Sequence, residues 1–160
     1  MFTEQFYKKS EEILKEYPRR SNGLLPILHL IQEENGHISD AAVVEASKIC
    51  KVPVNHVRGV LTFYGMFHKE PVGKCHIQVC KNLSCWLQGS DQVIEKIKGI
   101  LDIHEGETTA DGVFSLEEVE CLGACGYGPT ITINDKYYEK VNLDEIEGLM
   151  NKSRKEALSK

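Results

Sequence analysis

The sequence predicts an α/β protein in two parts: a small N-terminal helical bundle over residues 1–70 and a domain with a mixed sheet over residues 71–160. Three observations carry this. Apolar residues recur at helical spacing as far as Phe67, Pro71-Val72-Gly73 then breaks the pattern, and beyond it the period drops to two and strand and helix patterns alternate.

In the first part, Phe2, Phe6, Ile13, Leu14 and Tyr17 mark one face of a helix that Pro18 stops. Leu24, Leu28 and Ile31 mark a second helix, ending at Gly36. Ser39 is placed to cap a third helix reaching Cys50, because its side chain can accept from an unpaired N–H of the first turn. Pro53 opens a fourth, with Val57, Val60, Leu61, Tyr64 and Phe67 expected to pack inward. Phe63, Tyr64 and Phe67 are read as core or as a seam between the two parts.

In the second part, Lys74 to Cys80 alternates as a strand, with Cys75, Ile77 and Val79 on one face and His76, Gln78 and Cys80 on the other. Ser90 or Asp91 starts a helix carrying Val93, Ile94, Ile97 and Leu101 inward, and Glu105 to Gly112 is a polar loop. A second strand follows near Phe114 to Cys121. Its alternation slips between Leu116 and Val119, which predicts a bulge or an early end. Thr130 to Ile133, a turn at Asn134-Asp135 and Lys136 to Glu139 make a hairpin, and Asn142 with Glu145 resembles a capping box for a last helix. A crossover between the first two strands is expected to be right-handed and parallel, and the hairpin antiparallel, which is a thioredoxin-like arrangement.

A chain of 160 residues can bury a core without cross-links, so its six cysteines are available for other chemistry. No basic segment followed by a continuous apolar run opens the sequence, and the densest apolar run, Leu24 to Ile31, is broken by Pro26 and His29. A soluble, cytoplasmic chain with no membrane insertion of its own is expected. In a reducing compartment clustered thiols serve as metal ligands or redox groups rather than bridges. The formal net charge of −5, with 24 acidic and 19 basic residues spread along the chain, leaves no footprint for nucleic acid or an anionic membrane.

Cys80-Lys-Asn-Leu-Ser-Cys85 lies just past the first strand and Cys121-Leu-Gly-Ala-Cys125 just past the second, so neighbouring parallel strands would bring four thiols to one edge. Four thiolates suit zinc or an iron-sulfur cluster. Structural zinc knuckles are usually tighter, and pairs separated by four and three residues span a wider object better, which favours iron-sulfur. The small residues from Gly123 to Gly128 allow backbone N–H groups to approach sulfur. A dithiol site stays open, although neither pair has the two-residue spacing of that chemistry.

Other residues read more plainly. Cys75 has the wrong parity to join Cys80, and Cys50 is a small buried hydrophobe of the helical part. Gly123 to Gly128 does not match a dinucleotide fingerprint, since the glycine order is reversed and no acidic ribose partner follows. His29, His37, His56, His68, His76 and His104 are scattered and read as surface or packing residues. Trp86 and Tyr127 either shield the cysteine site, face a partner, or simply pack.

The chain resembles the NuoE-like, or 24 kDa, subunit family of NADH dehydrogenase and NAD-linked hydrogenase complexes. The resemblance runs nearly the whole length. It is carried by His56-Val-Arg-Gly-Val-Leu-Thr-Phe-Tyr-Gly-Met-Phe67, Val79-Cys80 with Cys85, Gly106-Glu-Thr-Thr-Ala-Asp-Gly112 and Val119-Glu-Cys-Leu-Gly-Ala-Cys125. It implies a thioredoxin-like ferredoxin domain behind a helical one, with one 2Fe-2S cluster held by Cys80, Cys85, Cys121 and Cys125. It also implies a flavoprotein partner that binds FMN and NAD(H), with further iron-sulfur subunits. The function expected is electron transfer within an NADH-linked oxidoreductase complex of respiratory, hydrogenase or formate dehydrogenase type, with no NADH activity of the chain alone. The competing reading is a free-standing thiol-redox or zinc-binding adaptor using the same cysteines.

Overall fold

The computed structural model describes residues 2–134 and 136–159, and the chain divides between Pro71 and Val72 into two compact units. Among its described residues the first unit holds four α-helices and a 3-10 turn at Arg20–Gly23. Helix α1 (Glu4–Lys15) begins where Thr3 accepts the Phe6 N–H at 3.2 Å. Helix α2 (Leu24–Asn35) ends at Gly36, whose φ of 76° is the left-handed conformation that glycine reaches without a Cβ penalty. Helix α3 (Asp40–Cys50) is capped by Ser39, which accepts the Ala42 N–H. Phe6, Leu14, Ile27, Leu28, Ile31, Val57 and Leu61 form its core.

Helix α4 (Val54–Phe63) is shorter than the apolar spacing suggested. Gln32 of α2 explains the difference: its side-chain N–H donates to the Met66 carbonyl at 2.8 Å and its oxygen accepts the His68 N–H at 2.7 Å. These bonds hold the chain in a turn after Tyr64. Phe67 therefore enters the core from outside the helix, and Phe63 is left 80% exposed, not in the core.

The second unit is a four-stranded mixed sheet in the order β2-β1-β3-β4, formed by β1 (Cys75–Cys80), β2 (Phe114–Val119), β3 (Ile131–Ile133) and β4 (Lys136–Tyr138). Strands β1 and β2 are parallel, paired from Cys75↔Phe114 to Cys80↔Val119, and β3 runs antiparallel to both β1 and β4. The expected turn at Asn134-Asp135 includes Asp135, which lies outside the described residues. Between β1 and β2 the chain forms α5 (Leu83–Leu87) and α6 (Ser90–Leu101), and it closes with α7 (Ile146–Leu158). Ile77, Val79, Ile97, Leu116, Ile131, Ile146 and Met150 share one core.

Strand β2 pairs without interruption and ends at Val119, short of Cys121, so of the two outcomes expected at the slip in its alternation the early end is found and the bulge is not. The slip itself is an ion pair: Glu118 stands 3.0 Å from Lys98 of α6, so a carboxylate occupies a half-buried position where an apolar residue was expected. Asn142 caps, but through the Asp144 N–H and at a 3-10 turn over Leu143–Glu145; α7 starts only at Ile146. Opposite the Ile77 and Val79 face, the polar side chains of His76, Gln78, Ser115, Glu117 and Thr132 are hydrogen-bonded to one another across three strands.

Candidate cluster site

Because β1 and β2 are parallel and in register, the chain leaves both at the same edge, with Cys80 beside Val119. A main-chain hydrogen bond ties the exits together: the Lys81 N–H donates to the Val119 carbonyl at 3.0 Å. After β1 the chain makes one turn of helix, α5, which places Cys85 inward at 1% exposed; Cys80 is 3% exposed. After β2 it runs through an open loop to a 3-10 turn at Cys125–Tyr127, leaving Cys121 and Cys125 exposed. None of these four thiols, nor Cys50 or Cys75, is in a disulfide.

The buried pair is organised by Thr130, whose carbonyl accepts the Cys80 N–H at 3.2 Å. Burial first, and then the adjacent Cys80 thiol, push the Cys85 thiol above its ordinary pKa, while hydrogen bonding by Thr130 acts the other way. The exposed pair has its own donor. The Gly123 N–H points at the Cys121 sulfur over 3.3 Å, with Gly123 at φ 76°.

Further contacts join the two segments, an ion pair of Lys81 with Glu120 at 3.5 Å among them. The Cys80 thiol lies 4.0 Å from the Glu120 carbonyl. The Ser84 hydroxyl donates to the Cys125 carbonyl at 2.8 Å. Gly128 packs so closely on α5 that a Cβ there would lie 3.2 Å from the Cys85 sulfur. The structure thus brings Cys80 and Cys85 together and fastens the Cys121–Cys125 loop beside them. Among the described residues no three His, Cys, Asp or Glu side chains are grouped to hold a single metal ion.

The remaining candidates fall elsewhere. Cys75 is in the sheet core, its thiol 3.6 Å from the Ser153 carbonyl of α7, and Cys50 is in the helical unit, where burial pushes its thiol up to about 11. Trp86 and Tyr127 are 54% and 53% exposed, so neither is core packing. Gly128 was read only as the end of the small-residue run, and Ser84, Gln88 and Thr130 were given no part in the site by sequence; the adjacency of Ser84 to Cys85 could have pointed to one of them.

The profile of the thioredoxin-like [2Fe-2S] ferredoxin family matches residues 10–154. The chain belongs to this family. Its relatives include the E subunit of the NADH-quinone oxidoreductase of Rickettsia typhi (strain ATCC VR-144 / Wilmington), 43% identical over 158 residues that cover 93% of this chain and 92% of the relative. The corresponding E subunit of Rickettsia bellii (strain RML369-C) is 41% identical over 148 residues, covering 91% and 89%. Among solved structures, an NAD+-reducing [NiFe]-hydrogenase in the H2-reduced state superposes with a TM-score of 0.72 at 21% identity, over 86% of this chain. This thioredoxin-like ferredoxin spans 23% of that hydrogenase chain, and the likeness is one of fold.

Proposed function

We propose that this chain is the electron-transfer subunit of an NADH-linked oxidoreductase complex and that Cys80, Cys85, Cys121 and Cys125 hold its one 2Fe-2S cluster. The observation that carries the assignment of the four residues is the parallel register of β1 and β2, which sends both cysteine pairs out of the same sheet edge. The donor set fits the group. Four free thiols are available, Gly123 already directs a main-chain N–H at the Cys121 sulfur, and soft thiolates are the ligands such clusters take.

When bound, the cluster supplies one-electron chemistry. The chain contributes the four sulfurs, burial of two of them, and N–H donors that favour added negative charge. Residues 71–160 are the ferredoxin domain and 1–70 a helical domain that precedes it. The partner is a flavoprotein subunit binding FMN and NAD(H), together with further iron-sulfur subunits, and the exposed Trp86 and Tyr127 beside Cys85 and Cys125 face it. The complex is cytoplasmic in this reading; among the described residues no helix is long and apolar enough to cross a membrane. Family membership favours this reading over a thiol-redox or zinc-binding adaptor.

Iron and acid-labile sulfide analysis of chain purified without oxygen tests it, with the reduced-state paramagnetic resonance signal. Two irons and two sulfides per chain are expected for a binuclear cluster. They should be lost in Cys80→Ser, Cys85→Ser, Cys121→Ser and Cys125→Ser and kept in Cys50→Ala and Cys75→Ala. Full cluster content in any two of the four serine variants overturns the ligand assignment. Zinc in place of iron overturns the function.

A further inference from the structure

We infer that Ser84, Gln88 and Gly128 are positioning residues for the cluster, which clamp the Cys121–Cys125 loop onto α5. The inference rests on the ligand assignment proposed above. None of the three carries a ligand atom: Ser84 bonds to the 3-10 turn that holds Cys125, Gln88 bonds to Ser84, and Gly128 packs on Cys85.

The first half of the clamp is a hydrogen-bonded relay. The Gln88 side-chain N–H donates to the Ser84 carbonyl at 2.9 Å and approaches the Ser84 hydroxyl at 3.4 Å, and that hydroxyl donates to the Cys125 carbonyl at 2.8 Å. The residue next to one ligand therefore grips the main chain of another, 41 positions away. The Cys125 carbonyl can only accept, so the Ser84 hydroxyl spends its one hydrogen on it and keeps its lone pairs for the Gln88 N–H.

The second half is steric. Gly128 has φ −71° and ψ 162°, an extended conformation open to any residue, so backbone freedom does not require glycine here. Space does. A Cβ at this position would stand 2.8 Å from the Gln88 side-chain nitrogen, 3.2 Å from the Cys85 sulfur and 3.3 Å from the Cys85 Cα. Gly123 is the reverse case, with φ 76° and no protein atom within 4 Å of a Cβ. One glycine shapes the loop and the other lets it sit down on α5.

The clamp matters because the two cysteine pairs are delivered differently. Cys80 and Cys85 are buried by the sheet edge and α5, whereas Cys121 and Cys125 are exposed on a loop whose alternatives would each cost ordering of two thiolates. Fastening the loop before assembly keeps its thiols beside the buried pair.

The test compares wild type, Ser84→Ala, Ser84→Thr and Gly128→Ala, each loaded with cluster and challenged with an iron chelator under anaerobic conditions. Ser84→Ala is expected to lose iron roughly threefold to tenfold faster, the range of one neutral hydrogen bond. Ser84→Thr keeps the hydroxyl and should stay within about twofold of wild type. Gly128→Ala should lose iron at least as fast as Ser84→Ala, with the fold of the cluster-free chain, read by circular dichroism, retained in both serine variants. Should Gly128→Ala fail to fold, the serine pair decides alone. Equal lifetimes for wild type and Ser84→Ala, or a Ser84→Thr lifetime as short as that of Ser84→Ala, overturn the inference. A wild-type chain that assembles no 2Fe-2S cluster overturns the ligand assignment beneath it, a result distinct from either.

Discussion

The His76 ring stands with Nε2 2.9 Å from the Glu117 carboxylate and Nδ1 2.9 Å from the Ser115 hydroxyl. That hydroxyl accepts the Gly73 N–H at 3.1 Å, so its hydrogen is available to Nδ1, and Nε2–H donates to Glu117, which also accepts from Gln78 at 2.8 Å. His76→Leu leaves the buried Ser115 hydroxyl without that acceptor and takes one donor away from Glu117. We expect a loss of about 1–3 kcal/mol in urea unfolding of the cluster-free chain. Iron content should be unchanged, since all four thiols remain.

The burial of the cysteines predicts an order of reactivity. In the cluster-free chain Cys121 and Cys125 are exposed while Cys50, Cys75, Cys80 and Cys85 are buried, so iodoacetamide at pH 8 should modify the first two well ahead of the rest. Cys50 should be the most inert, being fully buried with its thiol pushed up to about 11. Peptide mass mapping reads the order. Loading the cluster should then protect Cys121 and Cys125, and unchanged labelling of both in cluster-loaded chain would contradict their role.

Gly123 and Gly126 look equivalent in the sequence, flanking Cys125, but the structure separates them. Gly123 has φ 76° and its N–H points at the Cys121 sulfur, whereas Gly126 has neither a left-handed φ nor any protein atom within 4 Å of a Cβ. Gly123→Ala strains the backbone by about 1 kcal/mol and disturbs an N–H···S bond that favours the reduced cluster. At about 59 mV per 1.4 kcal/mol for one electron, losing such a bond lowers the potential by about 20–60 mV. Gly126→Ala should change it by less than about 10 mV. Redox titration followed by paramagnetic resonance distinguishes the two, and equal potentials for both variants refute the distinction.

Acid stability depends in part on one loop. The Thr109 hydroxyl, the Val113 N–H and Arg154 all donate to Asp111, and they hold its carboxyl down to about 2. Its folded pKa lies below the unfolded value of about 3.9, so the stabilisation is present above about pH 4 and is lost as pH falls towards 2. In Asp111→Asn that component is absent. The urea midpoint of the variant should therefore fall less steeply between about pH 4 and pH 2 than that of wild type. Parallel curves would assign the acid sensitivity to other carboxylates.

Much of this protein was legible in the sequence because the relevant physics is local. The caps at Ser39 and Gly36 act on atoms within a few residues, and alternation alone assigns Cys75, Ile77 and Val79 to the core face of β1 and His76, Gln78 and Cys80 to the other. The spacing of Cys80, Cys85, Cys121 and Cys125 after two strands likewise needs only the strand pattern to put both pairs beyond the same sheet edge, as the parallel register of β1 and β2 does. Where local rules competed with distant partners, sequence reading fell short. Gln32, 34 residues away from Met66, ends α4 early and leaves Phe63 outside. Lys98, 20 residues from Glu118, pairs with it, a reason for the slip in alternation that the strand pattern alone does not show. The same holds at the site: whether glycine serves backbone conformation or close approach, and that Ser84 grips Cys125, follow only once parallel pairing of β1 and β2 has brought segments 41 residues apart into hydrogen-bond range. Such contacts have no spacing to read, because the distance that creates them is measured across the sheet and not along the chain.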